Sequence, residues 1–171
     1  MPKTLYLVRH AKSSWKHTGL SDSRRPLNKR GKHDAPLMGK TLRNRSEIPQ
    51  LLISSPAKRA LNTAKLFAEE FNFPKEKIKI SESLYMAFGV DFYDVIMKCD
   101  DGLRSIMLFS HNPGITDFVN MISGSDIENI PTSGTVRIDF DIASWKDIKK
   151  TKGEIKFFVS PKKLSGNNPG I

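Results

Sequence analysis

An arginine and a histidine stand side by side where the first apolar segment of this chain ends. Residues 5–8 are apolar, and Arg9 and His10 follow them directly. His111 follows a second segment of this kind, residues 105–110. An imidazole can take up a phosphoryl group, and a guanidinium matches phosphate oxygens with paired hydrogen bonds. These residue types therefore predict chemistry on a phosphate-bearing anion.

A third apolar segment adds a second arginine to this set. Residues 51–54 are typical of a short strand, and Arg59 lies one turn into the helix that should follow. Strands that alternate with helices form a mainly parallel sheet, and the carboxyl ends of its strands meet at one edge, where ligands bind. Helix N-termini at this edge would add backbone donors. We therefore expect one metal-free anion pocket that contains Arg9, His10, Arg59 and His111.

The hydrophobic pattern predicts a single α/β domain of three layers (α/β/α), with a mainly parallel central sheet. Strands are predicted at residues 4–9, 51–54, 78–80, 105–110, 136–140 and 155–159, and helices at about 28–43, 56–71, 91–99 and 113–122. Pro36 should kink or divide the first helix, and Ser55 and Asn112 should cap the second and the fourth. The domain is predicted to span residues 1–160, with a loose tail at 161–171.

Positive charge is concentrated at one end of the chain. The formal net charge is +10, and residues 1–45 hold 12 Lys and Arg against 2 Asp and Glu. A local field of this kind attracts anionic substrates. Aromatic residues do not alternate with the basic ones as they do in nucleic-acid-binding surfaces, so we expect no nucleic acid as a partner.

Composition excludes several further classes of protein. The 171 residues include one cysteine, which rules out an internal disulfide and favours a reducing compartment. No apolar run approaches the roughly 20 residues that span a bilayer, and we see no leader pattern, so we expect a cytoplasmic protein without membrane contact. The four histidines lack the spacing of metal ligands, so we expect neither a metal nor another cofactor.

Four segments together resemble the histidine phosphatase superfamily. Residues 7–15 read LVRHAKSSW, 25–31 read RPLNKRG, 54–64 read SSPAKRALNTA and 111–114 read HNPG. Their order and combination are most similar to the SixA-type phosphohistidine phosphatases. The resemblance implies a phosphoglycerate mutase-like fold, with His10 as the nucleophile and Arg9, Arg59 and His111 around the phosphate. Lys16 stands where mutase-like members carry asparagine, which argues against mutase activity.

The resemblance also implies a two-step reaction. A neutral His10 would accept the phosphoryl group, and water would then hydrolyse the phosphohistidine. We expect a backbone carbonyl beside Nδ1 of His10 to hold the tautomer, and a protonated His111 to bind the phosphate. Family members usually supply a general acid after the third strand, and Glu82 is the candidate, although an ordinary exposed glutamate would look the same. Ser13 would bind a phosphate oxygen or cap a turn.

Residues near these motifs are interpreted as structural. Trp15 is assigned to core packing, and Arg25 to a solvated basic face, where it would form a minor ion pair with Asp22.

The substrate is less constrained than the reaction. Only about 24 residues separate residue 80 from residue 105, so there is no obvious insertion to enclose a small molecule. An open pocket favours phosphohistidine on another protein as the substrate. A small-metabolite phosphomonoesterase and a non-catalytic phosphoprotein-binding module are the alternatives, and a basic nucleic-acid module is a weaker one.

Overall fold

The structure is a computed structural model, and it describes residues 2–165. The strands in this part of the chain are β1 (Lys3–Arg9), β2 (Leu51–Ser54), β3 (Lys79–Ile80), β4 (Ser105–Ser110), β5 (Thr135–Phe140) and β6 (Glu154–Val159). The α-helices are α1 (Lys29–Asn44), α2 (Lys58–Phe71), α3 (Asp91–Met97), α4 (Gly114–Ser123) and α5 (Pro161–Ser165). Short 3-10 turns at Asp22–Arg24 and Glu82–Leu84 lie between them.

One sheet joins the strands in the order β3-β2-β4-β1-β5-β6. The first four are parallel to one another, and β5 pairs antiparallel with both β1 and β6. The mainly parallel α/β sheet predicted from the sequence is therefore confirmed. All four parallel strands direct their carboxyl ends to the same edge of the sheet.

Alternate residues of β1 enter two separate cores. Leu5 and Leu7 pack with α3 and α4 on one face of the sheet, where Phe118 is fully buried. Tyr6 and Val8 pack with α1 and α2 on the other face. This period of two, with both faces covered, is what a central parallel strand requires. The three-layer arrangement predicted from the pattern is confirmed.

Helix starts and interruptions differ from the sequence predictions. Pro36 lies inside an unbroken α1, because the apolar side of that helix packs against the sheet and outweighs the local cost of proline. Helix α2 begins at Lys58 rather than directly after Ser55, whose Oγ accepts from the Ala57 amide in a turn. Asn112 does not cap α4, since its Oδ1 accepts from the Thr116 hydroxyl instead.

The predicted tail falls partly within the structure. Residues Pro161–Ser165 form α5, and the rest of the predicted tail lies outside the described residues. Within residues 2–165, no helix has the length and apolar character that crossing a membrane demands.

Gly31 allows α1 to approach the segment that follows His10. The Asn28 side chain caps α1 by accepting from the Gly31 amide at 2.9 Å, and the Asn28 amide donates to the Lys12 carbonyl at 3.0 Å. A Cβ atom at Gly31 would lie 2.2 Å from that same carbonyl oxygen. The close approach of two backbones therefore requires glycine here.

We expect Gly31→Ala to lower the free energy of unfolding by about 1–3 kcal/mol, because backbone atoms must move to admit the methyl group. Urea denaturation measures the change. Gly19→Ala is the matched control, since a Cβ atom there would meet nothing within 4 Å, and it should stay within about 0.5 kcal/mol of the wild type. Equal effects of the two substitutions would contradict the role of Gly31.

Candidate active site

Two parallel strands bring the two histidines side by side. β1 and β4 pair with Arg9 opposite Ser110, and the His10 amide donates to the Ser110 carbonyl at 3.0 Å. His10 and His111 follow directly at the two strand ends, and their ring centroids are 5.2 Å apart. The predicted convergence of strand ends is thus present in the structure.

A pocket of about 320 Å³ opens at this edge of the sheet. Five sequence-predicted site residues line it: Arg9, His10, Ser13, Arg59 and His111. The other lining residues are Lys12, Trp15, Asp22, Arg25, Met86, Asn112 and Thr132. The structure therefore brings together five of the six residues that the sequence nominated.

The end of β1 holds the His10 ring in one tautomer. His10 is 8% exposed, and its Nδ1 lies 2.7 Å from the Ala11 carbonyl oxygen. A carbonyl oxygen can only accept, so Nδ1 carries the proton and Nε2 keeps its lone pair. The predicted backbone carbonyl beside Nδ1 is confirmed. Thr63 on α2 anchors this turn, because its Oγ1 accepts from the Ala11 amide at 2.9 Å.

Burial and nearby cations keep both histidines neutral. Burial lowers the pKa of His10 to about 4, against the opposing effect of the hydrogen bond to the Ala11 carbonyl, and the positive charges of Arg59 and Arg9 lower it further. Burial also lowers the pKa of His111 to about 3, with contributions from His10 and Arg59. Both rings are therefore neutral at pH 7. Burial, together with the mainly positive charges around it, keeps His111 neutral in this structure, and its protonation beside a bound phosphate stays a prediction.

Three buried nitrogen atoms of the pocket residues have no hydrogen-bond partner: Arg9 Nε, Arg59 Nε and His111 Nδ1. The same side chains are anchored through their other nitrogens. Arg9 donates to the Ile130 carbonyl at 3.0 Å, and His111 Nε2 lies 2.8 Å from Ser55 Oγ. A buried polar group without a partner costs about 1–3 kcal/mol. Three of them around one pocket indicate a site shaped for a ligand.

Asp22 connects the cations of the pocket. Its Oδ2 accepts from Arg59 at 3.0 Å and from the Tyr85 hydroxyl at 2.7 Å, and its Oδ1 accepts from Arg25 at 3.1 Å. Partial burial raises the pKa of Asp22, but the hydrogen bonds from Tyr85, Arg59 and Arg25 outweigh this effect and lower the pKa to about 2. Asp22 is therefore ionised at pH 7 and cannot donate a proton.

Arg25 and Trp15 have roles that the sequence analysis missed. Arg25 is buried, and its Nη1 donates to Ser13 Oγ at 2.7 Å, so it is not a solvated surface residue. Trp15 is 78% exposed rather than part of the core, and Arg25 Cζ lies 3.6 Å from the centre of its ring. The apolar pair Pro26 and Leu27 could have indicated that Arg25 is buried, because apolar residues beside it favour a segment that packs against the core over a solvated loop.

Glu82 lies outside the pocket. It is the exposed first residue of the turn Glu82–Leu84 and lines an adjacent groove of about 600 Å³. Among the residues that the structure describes, the carboxylate that lines the His10 pocket is that of Asp22 alone. The structure therefore does not bring Glu82 to His10, and its role as a general acid stays a prediction.

Comparison with known proteins agrees with the motifs. Residues 5–85 match the family model of the histidine phosphatase superfamily, branch 1, and this span includes Arg9, His10 and Arg59. A protein assigned as phosphohistidine phosphatase SixA from Agrobacterium tumefaciens has a similar structure, with a TM-score of 0.80 and 26% identity over 94% of this chain and 99% of that one.

More distant structures share the fold. The protein histidine phosphatase SixA complexed with tungstate has a TM-score of 0.80 at 20% identity, over 94% of this chain and 99% of that chain. A mycobacterial glucosyl-3-phosphoglycerate phosphatase has a TM-score of 0.65 at 12% identity, over 91% and 98% of the two chains. At these identities the likeness shows the fold alone.

A curated relative is longer than this chain. An uncharacterised chloroplastic protein of Arabidopsis thaliana is 32% identical over 134 residues, which is 74% of this chain. The chain spans 62% of the length of that relative.

We expect the free energy of unfolding to fall as the pH is lowered from about 6.5 towards 4. In this window the unfolded chain binds protons on His10 and His111, whereas the folded protein keeps both neutral. The stabilisation that comes from these two neutral histidines is therefore fully present above pH 6.5. It is lost as the pH falls through the window, and the free energy of unfolding decreases by up to about 1.4 kcal/mol per pH unit for each histidine.

Urea unfolding at pH values from about 5 to 7 measures this dependence. His111→Gln should reduce the slope of the free energy of unfolding against pH, because this variant lacks one of the two buried histidines. His17→Gln replaces an exposed histidine and is the control that should keep the wild-type slope. An unchanged slope in His111→Gln would contradict the assignment.

Proposed function

Because the chain belongs to the histidine phosphatase superfamily and has the fold of its SixA-type members, we propose that it is a metal-independent phosphatase. Membership of the superfamily and the likeness to SixA support a phosphatase hydrolase. We further propose that the reaction passes through a phosphohistidine on His10, and that the preferred substrate is phosphohistidine in another protein. The cytoplasmic location stays a prediction.

One observation carries the proposal: Arg9, Arg59 and His111, each with an unpartnered buried nitrogen, line the same pocket as a neutral His10. The two arginine Nε–H groups would donate to oxygens of a bound phosphate. Its negative charge would also raise the pKa of His111, so that this ring binds the phosphate as a cation. The positive charge that a metal supplies in other phosphatases would come from these side chains.

The first step would transfer the phosphoryl group to the protein. His10 Nε2 has the free lone pair, and it would form a bond to phosphorus in line with the leaving nitrogen of the substrate. The phosphorus–nitrogen bond of the substrate breaks, and its electron pair stays on the leaving imidazole. A substrate ring that carries a proton on its second nitrogen then departs as a neutral histidine.

The second step would return His10 to its starting state. A water molecule attacks phosphorus, the bond to Nε2 breaks, and inorganic phosphate leaves with the oxygen of that water. Nδ1 keeps its proton throughout, because the Ala11 carbonyl accepts from it. Arg9 and Arg59 would hold the phosphoryl oxygens in both steps, which avoids reorganising the site between them.

The acid–base character of the pocket supports phosphohistidine over an alkyl phosphate. Asp22 is ionised, since its pKa is about 2, and Glu82 lies in the adjacent groove. An alkyl phosphate must release an alkoxide, whose conjugate acid resembles water, with a pKa of roughly 15.7, whereas the pKa of imidazolium is about 6.5. A leaving imidazole therefore needs far less help from a proton donor.

We expect His10→Ala to lower phosphate release from a phosphohistidine protein by at least about 10³-fold, because the acceptor of the phosphoryl group is lost. The assay is run with a chelator present, and a denaturing quench at alkaline pH, where phosphohistidine is stable, should trap label on His10 of the wild type incubated with radiolabelled substrate. His17→Ala is the control and should keep full activity. Equal activity of His10→Ala and wild type would refute the mechanism, and a higher kcat/KM on a phosphorylated metabolite would reassign the substrate.

We expect Glu82→Gln to change turnover of phosphohistidine by less than about twofold, because a leaving imidazole needs little help from a proton donor and Glu82 does not line the pocket. Measuring kcat/KM on phosphohistidine and on an alkyl phosphate tests this. A loss confined to the alkyl phosphate would support Glu82 as the general acid. Arg59→Gln serves as the comparison and should lower both activities by about 10²-fold or more.

A further inference from the structure

Large apolar side chains are exposed along one side of the pocket mouth. Met86 is 63% exposed, Phe88 76%, Val90 60% and Met121 36%, and we call these four residues the apolar rim. Three of the four residues stand on the segment 86–90, and Gly89 in this segment lies against Met121: a Cβ atom at Gly89 would be 2.7 Å from the Met121 sulfur. Met86 also lines the phosphate pocket, so the rim begins inside the site.

The backbone beneath the rim is well anchored. The Phe88 amide donates to Asp91 Oδ2 at 2.7 Å. Ala87 is buried, and its carbonyl lies so near Gly114 on α4 that a Cβ atom there would be 2.0 Å away. A fixed backbone that exposes large apolar side chains presents them to a partner at little cost in conformational entropy.

A phosphate-sized ligand leaves most of the rim uncovered. Phe88 and Val90 do not line the pocket of about 320 Å³, although they stand next to Met86, which does. The other exposed large apolar residues on α1, on β3 and in loops stand on separate segments, whereas three rim residues share one short segment that packs against the fourth. Continuous exposed apolar surface marks binding sites for macromolecules. Because this surface starts in the phosphate pocket, its occupant is the molecule that carries the phosphate.

A groove next to the pocket is lined by three basic side chains and by one carboxylate, that of Glu82. The adjacent groove is lined by Arg24, Lys58 and Lys65, and we call these three residues the basic groove. Tyr85 lines this groove and donates to Asp22 in the pocket, and it directly precedes Met86. One short segment of chain therefore borders the basic groove and the apolar rim. A partner that sits over this segment would meet basic side chains of the groove as well as apolar side chains of the rim.

We propose that the apolar rim and the basic groove together bind a folded protein that carries the phosphohistidine, with both apolar and acidic side chains exposed near that histidine. This inference rests on the proposed function and adds the surface by which the protein substrate is recognised. The apolar contact provides binding energy, and the charges speed the encounter and orient the partner.

The test compares a protein substrate with a free one. The probes are a histidine-phosphotransfer domain phosphorylated with phosphoramidate, and free phosphohistidine. The wild type should have the higher kcat/KM on the domain. Phe88→Ser should lower kcat/KM on the domain by about tenfold or more and leave free phosphohistidine within about twofold. Ile48→Ser is the matched control, since Ile48 is 44% exposed and precedes β2 at the other edge of the sheet, and it should change neither value.

Charge reversal tests the second surface. The double variant Lys58→Glu with Lys65→Glu should lower kcat/KM on the domain by about tenfold at low salt, and the deficit should shrink at high salt. On free phosphohistidine, the double variant should keep the kcat/KM of the wild type. The control reverses Lys146 and Lys150, which are exposed in the 3-10 turn Trp145–Lys150, and it should retain wild-type activity on the domain.

The outcomes separate the two proposals. If the wild type hydrolyses both probes equally, or if Phe88→Ser retains full activity on the domain, the docking surface is refuted while the phosphatase stands. If neither probe is hydrolysed, the proposed function fails, and calorimetric titration of the phosphorylated domain decides the surface. Tight binding to the wild type that Phe88→Ser weakens would then support the surface, and equal or absent binding would refute it.

Discussion

The parallel pairing of β1 with β4 is the constraint on which the rest of the site depends. It sets Arg9 opposite Ser110, so the two residues that follow the strands, His10 and His111, must lie next to each other. Both strands are central and covered on both faces, so their ends cannot shift without disturbing two hydrophobic cores. The sheet therefore holds the two imidazoles in fixed positions.

Burying guanidinium groups beside these imidazoles costs free energy, and hydrogen bonds and ion pairs offset only part of this cost. Asp22 neutralises some of the charge by accepting from Arg59 and Arg25, and Tyr85 fixes the carboxylate in turn. The Nε atoms of Arg9 and Arg59 are left without partners. Desolvated donors of this kind interact strongly with an anion, because the cost of removing them from water has been met during folding. Burial keeps His10 neutral, and the same positive charges lower its pKa further.

The pocket and its surroundings are built differently. The residues that would handle phosphate stand at strand ends or in the first turn of α2, whereas the apolar rim and the lining of the basic groove belong largely to loops and an exposed helix face. Rigid elements suit chemistry that needs fixed geometry, and loops can change without disturbing the core. Exposed side chains of the rim and the groove can therefore change while the strand ends keep their positions.

The sequence by itself determined the fold class and the main members of the site. The alternation of apolar strands with helices requires a parallel sheet, and this puts Arg9, His10 and His111 at one edge whatever the loops do. Local sequence patterns could not predict which loop side chains lie around that edge of the sheet. Whether Arg25 is buried, Trp15 exposed or Glu82 distant depends on how loops from different parts of the chain pack together. The neutrality of His111 was decided in the same way, because a pKa follows from burial and neighbouring charge, and only the tertiary structure assembles these.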